Sequence, residues 1–202
     1  HKDIKVHLDF DKTYIAERAL VGDVHLSVVP EELRYQVLSD GQEARFERAV
    51  SLLEETLNSE EFKQKVLSYK RSDGKRLYQN NFLWGDETRT LSNEDVFNLI
   101  KNGDEKTIPG TVGEMNVYAL VRRFMPWSDT IGYTKPRSSE LISLNYYFYR
   151  NYDAPTMVNN LVHEWIHLLG FLHGNEKLGE EAPYVIGEIA EVVSRKILES
   201  RR

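Results

Sequence analysis

Residues 163–173 read His-Glu-Trp-Ile-His-Leu-Leu-Gly-Phe-Leu-His, and they contain three of the six histidines of the 202-residue chain. On a helix, His163 and His167 project from the same face, because residues four apart are neighbours on the helix surface. Both imidazoles can therefore reach one metal ion. Glu164 is turned by about 100° from His163, so it reaches a water molecule on such an ion more easily than the ion itself.

A third histidine follows at a spacing that permits it to join the first two. Gly170 tolerates the left-handed conformation that ends helices, so the chain can turn sharply there. The turn returns His173 towards the helix as a third ligand. Three nitrogen ligands with one open position are typical of a catalytic zinc site, whereas structural sites have four protein ligands. The sequence therefore predicts a bound Zn²⁺.

The helix that carries this motif is predicted over residues 156–169, after the Asp-Ala-Pro sequence at 153–155. Apolar residues occupy most of its circumference, which is typical of a helix in the middle of a domain. They are Val158, Leu161, Val162, Trp165, Ile166 and Leu169. Imidazoles in such a helix are costly unless something binds them, and this supports the metal site.

The eleven residues resemble the signature of the metzincin clan of zinc endopeptidases. The resemblance implies a zinc ion bound by His163, His167 and His173, with Glu164 as general base. It also implies a metzincin-like α+β domain, in which helices back a twisted mixed sheet and the active-site helix is central. A protein or peptide is then the substrate.

The chain departs from the clan in one respect. Metzincins have a methionine-containing turn after the third histidine, but Met115, Met125 and Met157 all precede the site. The nearest substitute is Ala-Pro-Tyr at 182–184, where proline fixes a turn and Tyr184 could lie beside the zinc. The stretch 183–187 favours a bacterial, matrixin-like branch.

The motif predicts peptide hydrolysis by an activated water. Zinc lowers the pKa of its bound water towards ~7, and Glu164 accepts the proton and passes it to the leaving amine. Tyr184 is the first candidate and Tyr133 the second for stabilising the oxyanion. An extended substrate would pair with an exposed strand edge, formed by the strand from Thr130 or the strand from Leu141.

Two alternatives remain open. Glu188 lies 21 residues beyond His167, a separation at which glutamate-liganded zinc peptidases place their third ligand, and Glu191 lies one turn further. In that arrangement His173 is a surface residue. The chain could instead be a non-catalytic zinc-bearing module with a binding or toxin-like role, although such a module has no use for Glu164.

Composition limits the remaining function classes. The length fits a single domain over residues 1–202. The net charge of −6 and the scattered Lys and Arg residues argue against nucleic-acid binding, and no apolar run is long enough to span a membrane. The chain contains no cysteine and begins at His1, so we expect a trimmed N-terminus. The clan resemblance favours a secreted or cell-envelope bacterial protein; the oligomeric state is open.

Hydrophobic periodicity predicts the other elements. Strict alternation indicates strands at residues 4–10 and 24–28, and the polar face of these strands carries His7 and His25. A long helix at 46–57 should follow a turn at 40–41, and Asn58 with Glu61 resembles the capping box of a second helix. The other expected elements are a loop at 71–90, a helix at 96–101 after Ser92, strands at 115–123, 130–134 and 141–150, and a closing helix at 183–200.

Overall fold

A computed structural model describes residues 3–9, 39–74, 77–83, 87–103, 114–122, 129–134, 141–173 and 179–202. The described chain is α+β, as the sequence predicted, whereas the strand expected at 24–28 lies outside the described residues. The strands are β1 Lys5–Asp9, β2 Leu77–Leu83, β3 Glu87–Ser92, β4 Glu114–Arg122, β5 Gly132–Thr134 and β6 Leu141–Asn145. The helices are α1 Asp40–Asn58, α2 Glu60–Ser68, α3 Asn93–Asn102, α4 Tyr146–Tyr149, α5 Ala154–Leu168 and α6 Ala182–Glu199.

Four strands form a mixed sheet in the order β1-β4-β6-β5. β4 pairs in parallel with both β1 and β6, whereas β5 is antiparallel to β6. Tyr133 of β5 lies opposite Ser143 of β6 in this register. Among the described strands, β5 has a neighbour on one side only, so it forms the edge of the sheet nearest to the predicted active-site helix.

The motif-bearing helix α5 is the centre of the packing. It packs against α1 and α6 and against three strands of the mixed sheet. Ten of its fifteen residues are buried, and Trp165 is fully enclosed. Burial of each large apolar side chain contributes about 1.5–3 kcal/mol, so the helix is held in place over nearly its whole circumference. The expected central helix is confirmed.

Side chains of α1 attach the first strand to the helical layer. Asn58 accepts a 2.8 Å hydrogen bond from the Ile4 backbone N–H and donates another of 2.8 Å to the Ile4 carbonyl. Glu54 accepts from the Val6 N–H at 2.9 Å. The sequence suggested that Asn58 caps α2. These hydrogen bonds to Ile4 occupy its side chain, so it does not. Ser59 caps α2 instead and accepts from the Phe62 N–H at 3.1 Å.

Helix α1 also begins earlier than predicted. Ser39 and Gln42 form a capping box at its start, so Asp40 and Gly41 belong to the first helical turn rather than to a turn before the helix. Helix α3 agrees better with the prediction. Ser92 and Asp95 form its capping box, and the helix ends at Gly103 with φ of 58°.

The loop predicted at 71–90 is wrong, because much of it forms an antiparallel hairpin. β2 and β3 pair from Leu77 with Ser92 to Leu83 with Glu87. Residues 84–86 separate the two strands in sequence. Gly85 and Asp86 fall between the two paired strands in sequence, and composition alone does not distinguish such a hairpin connection from part of a long loop.

The strand predicted at 141–150 is also wrong beyond Asn145. The Asn145 side chain accepts a 3.1 Å hydrogen bond from the Tyr147 N–H and starts the short helix α4. The aromatic residues of this segment therefore leave the sheet. Tyr149 is buried and stacks on Phe46 of α1 with a centroid separation of 6.1 Å. Tyr149 therefore packs between helices α4 and α1 and not on the sheet, where the sequence placed it.

The closing helix α6 agrees with its predicted bounds. Val185 and Val193 are buried, while Ile189 and Ile197 are partly buried against the core. None of the described helices combines the length and the apolar character that crossing a membrane requires.

Candidate metal centre

The three histidines of the motif converge on one point. Each of His163, His167 and His173 offers a ring nitrogen, and these three atoms lie within 4.8 Å of one another. The ring centroids are 5.1 Å apart for His163 and His167, and 4.6 Å apart for His167 and His173. The first two histidines are on one face of α5, as the four-residue spacing predicted, and the third lies beyond the end of the helix.

The turn after α5 brings His173 back to the helix. Gly170 has a φ of 111°, a conformation that residues with a side chain rarely adopt. Its N–H donates to the His167 carbonyl at 3.0 Å, and the Phe171 N–H donates to the Ile166 carbonyl at 3.3 Å. The Phe171 side chain is fully buried and anchors the turn. The role predicted for Gly170 is confirmed in its geometry.

Two of the imidazoles are held by their Nδ1 atoms. His167 Nδ1 lies 2.6 Å from the Phe171 carbonyl oxygen. A carbonyl oxygen can only accept a hydrogen bond, so Nδ1 carries the proton and Nε2 keeps its lone pair. His173 Nδ1 lies 2.6 Å from Oε2 of Glu181. In both residues Nε2 is therefore the atom available to a metal ion.

Burial favours the neutral form of the two helical histidines. It lowers the pKa of His163 to about 3, with further lowering by the nearby imidazoles of His167 and His173. It lowers the pKa of His167 to about 4, although the hydrogen bond to the Phe171 carbonyl opposes this shift. Neutral imidazole is the form that binds metal ions. The donor set, three close imidazole nitrogens of which two are neutral at pH 7, thus fits zinc.

The histidines face an open cleft of about 540 Å³. The cleft leaves room for a fourth ligand, as a catalytic zinc site requires. It runs between β5, α5 and the start of α6. Its lining residues are Asp129, Thr130, Ile131, Gly132, Tyr133, Thr134, Asn159, Asn160, His163, Glu164, His167, Leu172, His173 and Tyr184.

Glu164 lines the same cleft but is not one of the three grouped ligands. Glu164 is 6% exposed, and its carboxylate contacts residues of β5. Thr134 Oγ1 donates a 2.8 Å hydrogen bond to Glu164 Oε2. A Cβ atom on Gly132 would lie only 2.6 Å from Glu164 Oε1, so the carboxylate packs directly on the glycine backbone. Burial raises the pKa of Glu164 to about 7, and the Thr134 hydrogen bond opposes the rise.

Tyr184 joins the site from the first turn of α6. Its ring centroid is 4.6 Å from that of His163 and 5.1 Å from that of His173. Burial raises the pKa of the Tyr184 hydroxyl above its ordinary value, and the negative charges of Glu181 and Glu164 raise it further. The hydroxyl is therefore protonated at neutral pH. Tyr133, the second candidate, is 47% exposed and lines the cleft from β5.

A close contact between two helices sets the position of Tyr184. Gly187, one turn further along α6, faces Asn159 of α5. A Cβ atom on Gly187 would lie 2.4 Å from Asn159 Oδ1 and 3.0 Å from its backbone oxygen. The absence of a side chain at Gly187 thus permits α6 to approach α5 closely enough to bring Tyr184 beside the histidines.

The two glutamates considered as alternative ligands lie elsewhere. Glu188 is exposed and lines a separate surface pocket with Lys65 and Val192. Glu191 accepts a 2.7 Å hydrogen bond from Asn159 Nδ2. Within the described residues, the three histidines form one group with metal-ligand spacing, and neither glutamate belongs to it.

Gly132, Thr134 and Glu181, which contact Glu164 or His173, were not predicted from the sequence as site residues. Gly132 and Thr134 flank the predicted Tyr133, and alternate residues of a strand share a face, so the pair was recognisable as one surface. The face of β5 that contacts α5 could not be inferred. Glu181 lies eight residues after His173, and no motif marks this spacing.

No match to this chain was found among protein-family models, curated proteins or solved structures. What can be said about function therefore depends on the geometry of the site.

Proposed function

We propose that this protein is a zinc-dependent endopeptidase in which His163, His167 and His173 bind the metal and Glu164 is the general base. One observation carries the proposal. Three histidine nitrogens lie within 4.8 Å of one another at an open cleft, and a buried glutamate beside them is not part of the group. A structural zinc site would require a fourth protein ligand and would not use a carboxyl group placed in this way.

Zinc bound there would polarise the scissile carbonyl and lower the pKa of water in the open coordination position. Glu164 would accept a proton from the attacking water and return it to the leaving amine. In the metal-free protein burial raises the pKa of Glu164 above its ordinary value, a direction that favours proton exchange near neutral pH. The protonated hydroxyl of Tyr184 would donate a hydrogen bond to the carbonyl oxygen as its negative charge develops.

The substrate would be an extended segment of a protein or peptide. β5 forms an edge of the described sheet, so its outer backbone groups are suited to pair with a peptide strand. Gly132 of this strand contacts Glu164. A peptide paired with β5 would therefore pass beside the general base. Of the two strands proposed from the sequence, the edge position favours β5 over the interior strand β6.

The eleven-residue motif supports membership of the metzincin clan, with a matrixin-like bacterial branch as the finer assignment. The order of a mixed sheet, an active-site helix and a closing helix agrees with this proposal. Tyr184 would occupy the place of the clan's methionine turn, because it follows the third histidine and lies against two of the imidazoles. A secreted or cell-envelope location belongs to the same proposal.

Metal analysis combined with a cleavage assay tests this function. We expect about one zinc per chain by mass spectrometry and cleavage of a quenched peptide library that a chelator abolishes. The Glu164→Gln variant should retain zinc and lose activity by roughly 10²–10⁴-fold, the range typical of general-base catalysis. His173→Ala should lose zinc affinity, whereas the exposed Glu188→Gln should retain both zinc and activity.

The outcomes separate the alternatives. Full zinc affinity in His173→Ala together with loss in Glu188→Gln would establish the glutamate-liganded arrangement instead. Stoichiometric zinc without chelator-sensitive cleavage of any library member would favour a non-catalytic binding module. Absence of zinc binding by the native chain would overturn the metal site itself.

A further inference from the structure

A buried carboxylate contacts the third histidine from outside the ligand group. Glu181 Oε2 lies 2.6 Å from His173 Nδ1, and the Glu181 side chain is only 7% exposed. A carboxylate accepts hydrogen bonds, so the His173 Nδ1–H donates to it. Burial of a carboxylate costs free energy unless hydrogen bonds compensate for the lost water. The hydrogen bond from His173 supplies such compensation for Glu181.

Helix capping does not explain the buried position of the Glu181 carboxylate. Glu181 is the N-cap residue of α6, a position where side chains usually accept from the first backbone N–H groups of the helix. It makes no such capping hydrogen bond. Its carboxylate reaches His173 instead, across eight residues of sequence.

The segment before α6 is held independently of the histidine. The neighbouring Glu180 accepts a 3.1 Å hydrogen bond from the Ser72 N–H, and it lies 3.7 Å from Arg71 Nη2. Ala182 and Pro183, which follow Glu181, are buried in the core. Glu181 is therefore fixed from both sides, and it can serve as a rigid acceptor.

His173 needs such an acceptor more than the other two histidines. His163 and His167 are mostly enclosed within α5, and His167 also donates to the Phe171 carbonyl. By contrast, His173 follows the end of the helix, and its side chain is 45% exposed. Without a partner for Nδ1, its imidazole would be free to rotate and to present either nitrogen.

We propose that Glu181 is a positioning residue for the metal site: it accepts the Nδ1–H of His173, fixes the ring plane and leaves Nε2 as the ligand atom. This inference rests on the proposed function in one respect, the binding of a metal ion by the three histidines. Carboxylate partners of metal-binding histidines also raise the basicity of the ligand, and their removal typically weakens metal binding by about 10–100-fold.

Zinc affinity, measured by competition with a chromophoric chelator, tests the proposal without any assay of cleavage. We expect Glu181→Ala to bind zinc about 10–100-fold more weakly than the native chain. Glu181→Gln should lose less, because its amide oxygen can still accept from Nδ1–H. The matched control is the exposed Glu188→Gln, which should retain native affinity. Circular dichroism checks that each variant folds; if Glu181→Ala does not fold, Glu181→Leu, which also lacks an acceptor, takes its place in every comparison.

A double-mutant cycle distinguishes positioning from a general structural role. If Glu181 acts through His173, adding Glu181→Ala to His173→Ala should weaken zinc binding no further. Native affinity in both Glu181 variants would overturn the proposal, and so would a full additional loss in the double variant. In either of these cases the native chain still binds zinc, so the result differs from a failure of the metal site itself.

Discussion

Thr134 Oγ1 donates a 2.8 Å hydrogen bond to Glu164 Oε2, and both side chains are buried. This contact joins the edge strand β5 to the helix that carries the histidines. The strand proposed to bind the substrate therefore also holds the proposed general base. Binding of a peptide and placement of the proton acceptor would depend on the same three residues of the chain, 132–134.

Replacing Thr134 by Val should impair catalysis without removing the metal. Hydrogen bonds to charged groups contribute about 1.5–3 kcal/mol, so kcat/KM at neutral pH should fall about 10–100-fold. The hydrogen bond also lowers the pKa of Glu164. Its loss should therefore move the acidic limb of the pH–kcat/KM profile to higher pH.

Thr134→Ser is the matched control, because it keeps the hydroxyl. It should restore most of the activity and return the acidic limb to its native position, while metal analysis finds equal zinc in all three proteins. An unchanged profile in Thr134→Val would show that the hydroxyl does not act on Glu164.

Replacing Gly132 by Ala should displace Glu164. The new Cβ would lie 2.6 Å from Oε1, closer than nonbonded atoms approach, so the carboxylate must shift. A displacement of about 1 Å can cost 10²-fold in rate. We expect a loss of kcat of about that size with zinc retained.

Gly41→Ala provides the comparison for Gly132→Ala, because a Cβ at Gly41 meets no atom within 4 Å. It should leave kcat unchanged. Equal activity of the two variants would mean that Glu164 tolerates the displacement.

Tyr184→Phe tests the proposed oxyanion donor. Loss of one such donor lowers kcat by about 10²–10³-fold in enzymes that use it. The phenyl ring should keep its contacts with His163 and His173, so zinc affinity should stay within a few-fold of the native value. If kcat is unchanged and Tyr133→Phe instead lowers it, the second candidate is the donor.

Replacing Gly187 by Ala should force α6 away from α5. The added methyl group would lie 3.0 Å from the Asn159 backbone oxygen, which cannot move aside as a flexible side chain can. Overpacking of this kind costs about 1–3 kcal/mol, measurable by urea unfolding. Because Tyr184 lies one turn away, we also expect activity to fall as in Tyr184→Phe. Native stability in Gly187→Ala would show that the helices separate without strain.

The convergence of the three histidines was predictable from sequence because one short helix and one turn carry them. The spacing of His163 and His167 fixes their common face, and Gly170 permits the return of His173. Each relation depends on fewer than a dozen neighbouring residues, so local geometry determines it. The helix bounds at α3 and α6 were predictable for the same reason, since capping residues and apolar periodicity are local.

Contacts between distant segments were not predictable in this way. Thr134 and Glu164 are separated by 30 residues, and their contact depends on the place of β5 in the sheet. Asn58 resembled a helix cap in sequence, but hydrogen bonds with Ile4, 54 residues away, occupy its side chain. Likewise, β2 and β3 are stabilised by pairing with each other. Local composition at 71–90 therefore indicated a loop.

The buried ionisable groups predict how the stability of the metal-free protein depends on pH. His163 and His167 have folded-state pKa values of about 3 and 4, below the ordinary 6.5, so their contribution is present above pH 6.5 and is lost as pH falls. Glu164 has a raised pKa of about 7, so its contribution is present below 4.5 and is lost as pH rises through 7. Each group changes the free energy of unfolding by about 1.4 kcal/mol per pH unit within its window.

The two histidines outweigh the glutamate between pH 6.5 and 4.5, so these groups should lower stability by about 1.4 kcal/mol per unit as pH falls. Glu164→Gln removes the opposing contribution and should steepen the decrease to about 2.8 kcal/mol per unit. Urea unfolding of both proteins after chelator treatment, followed by tryptophan fluorescence at several pH values, measures the difference. All other titrating groups are shared by the two proteins and cancel. Identical slopes would show that burial does not raise the pKa of Glu164 in the folded, metal-free protein.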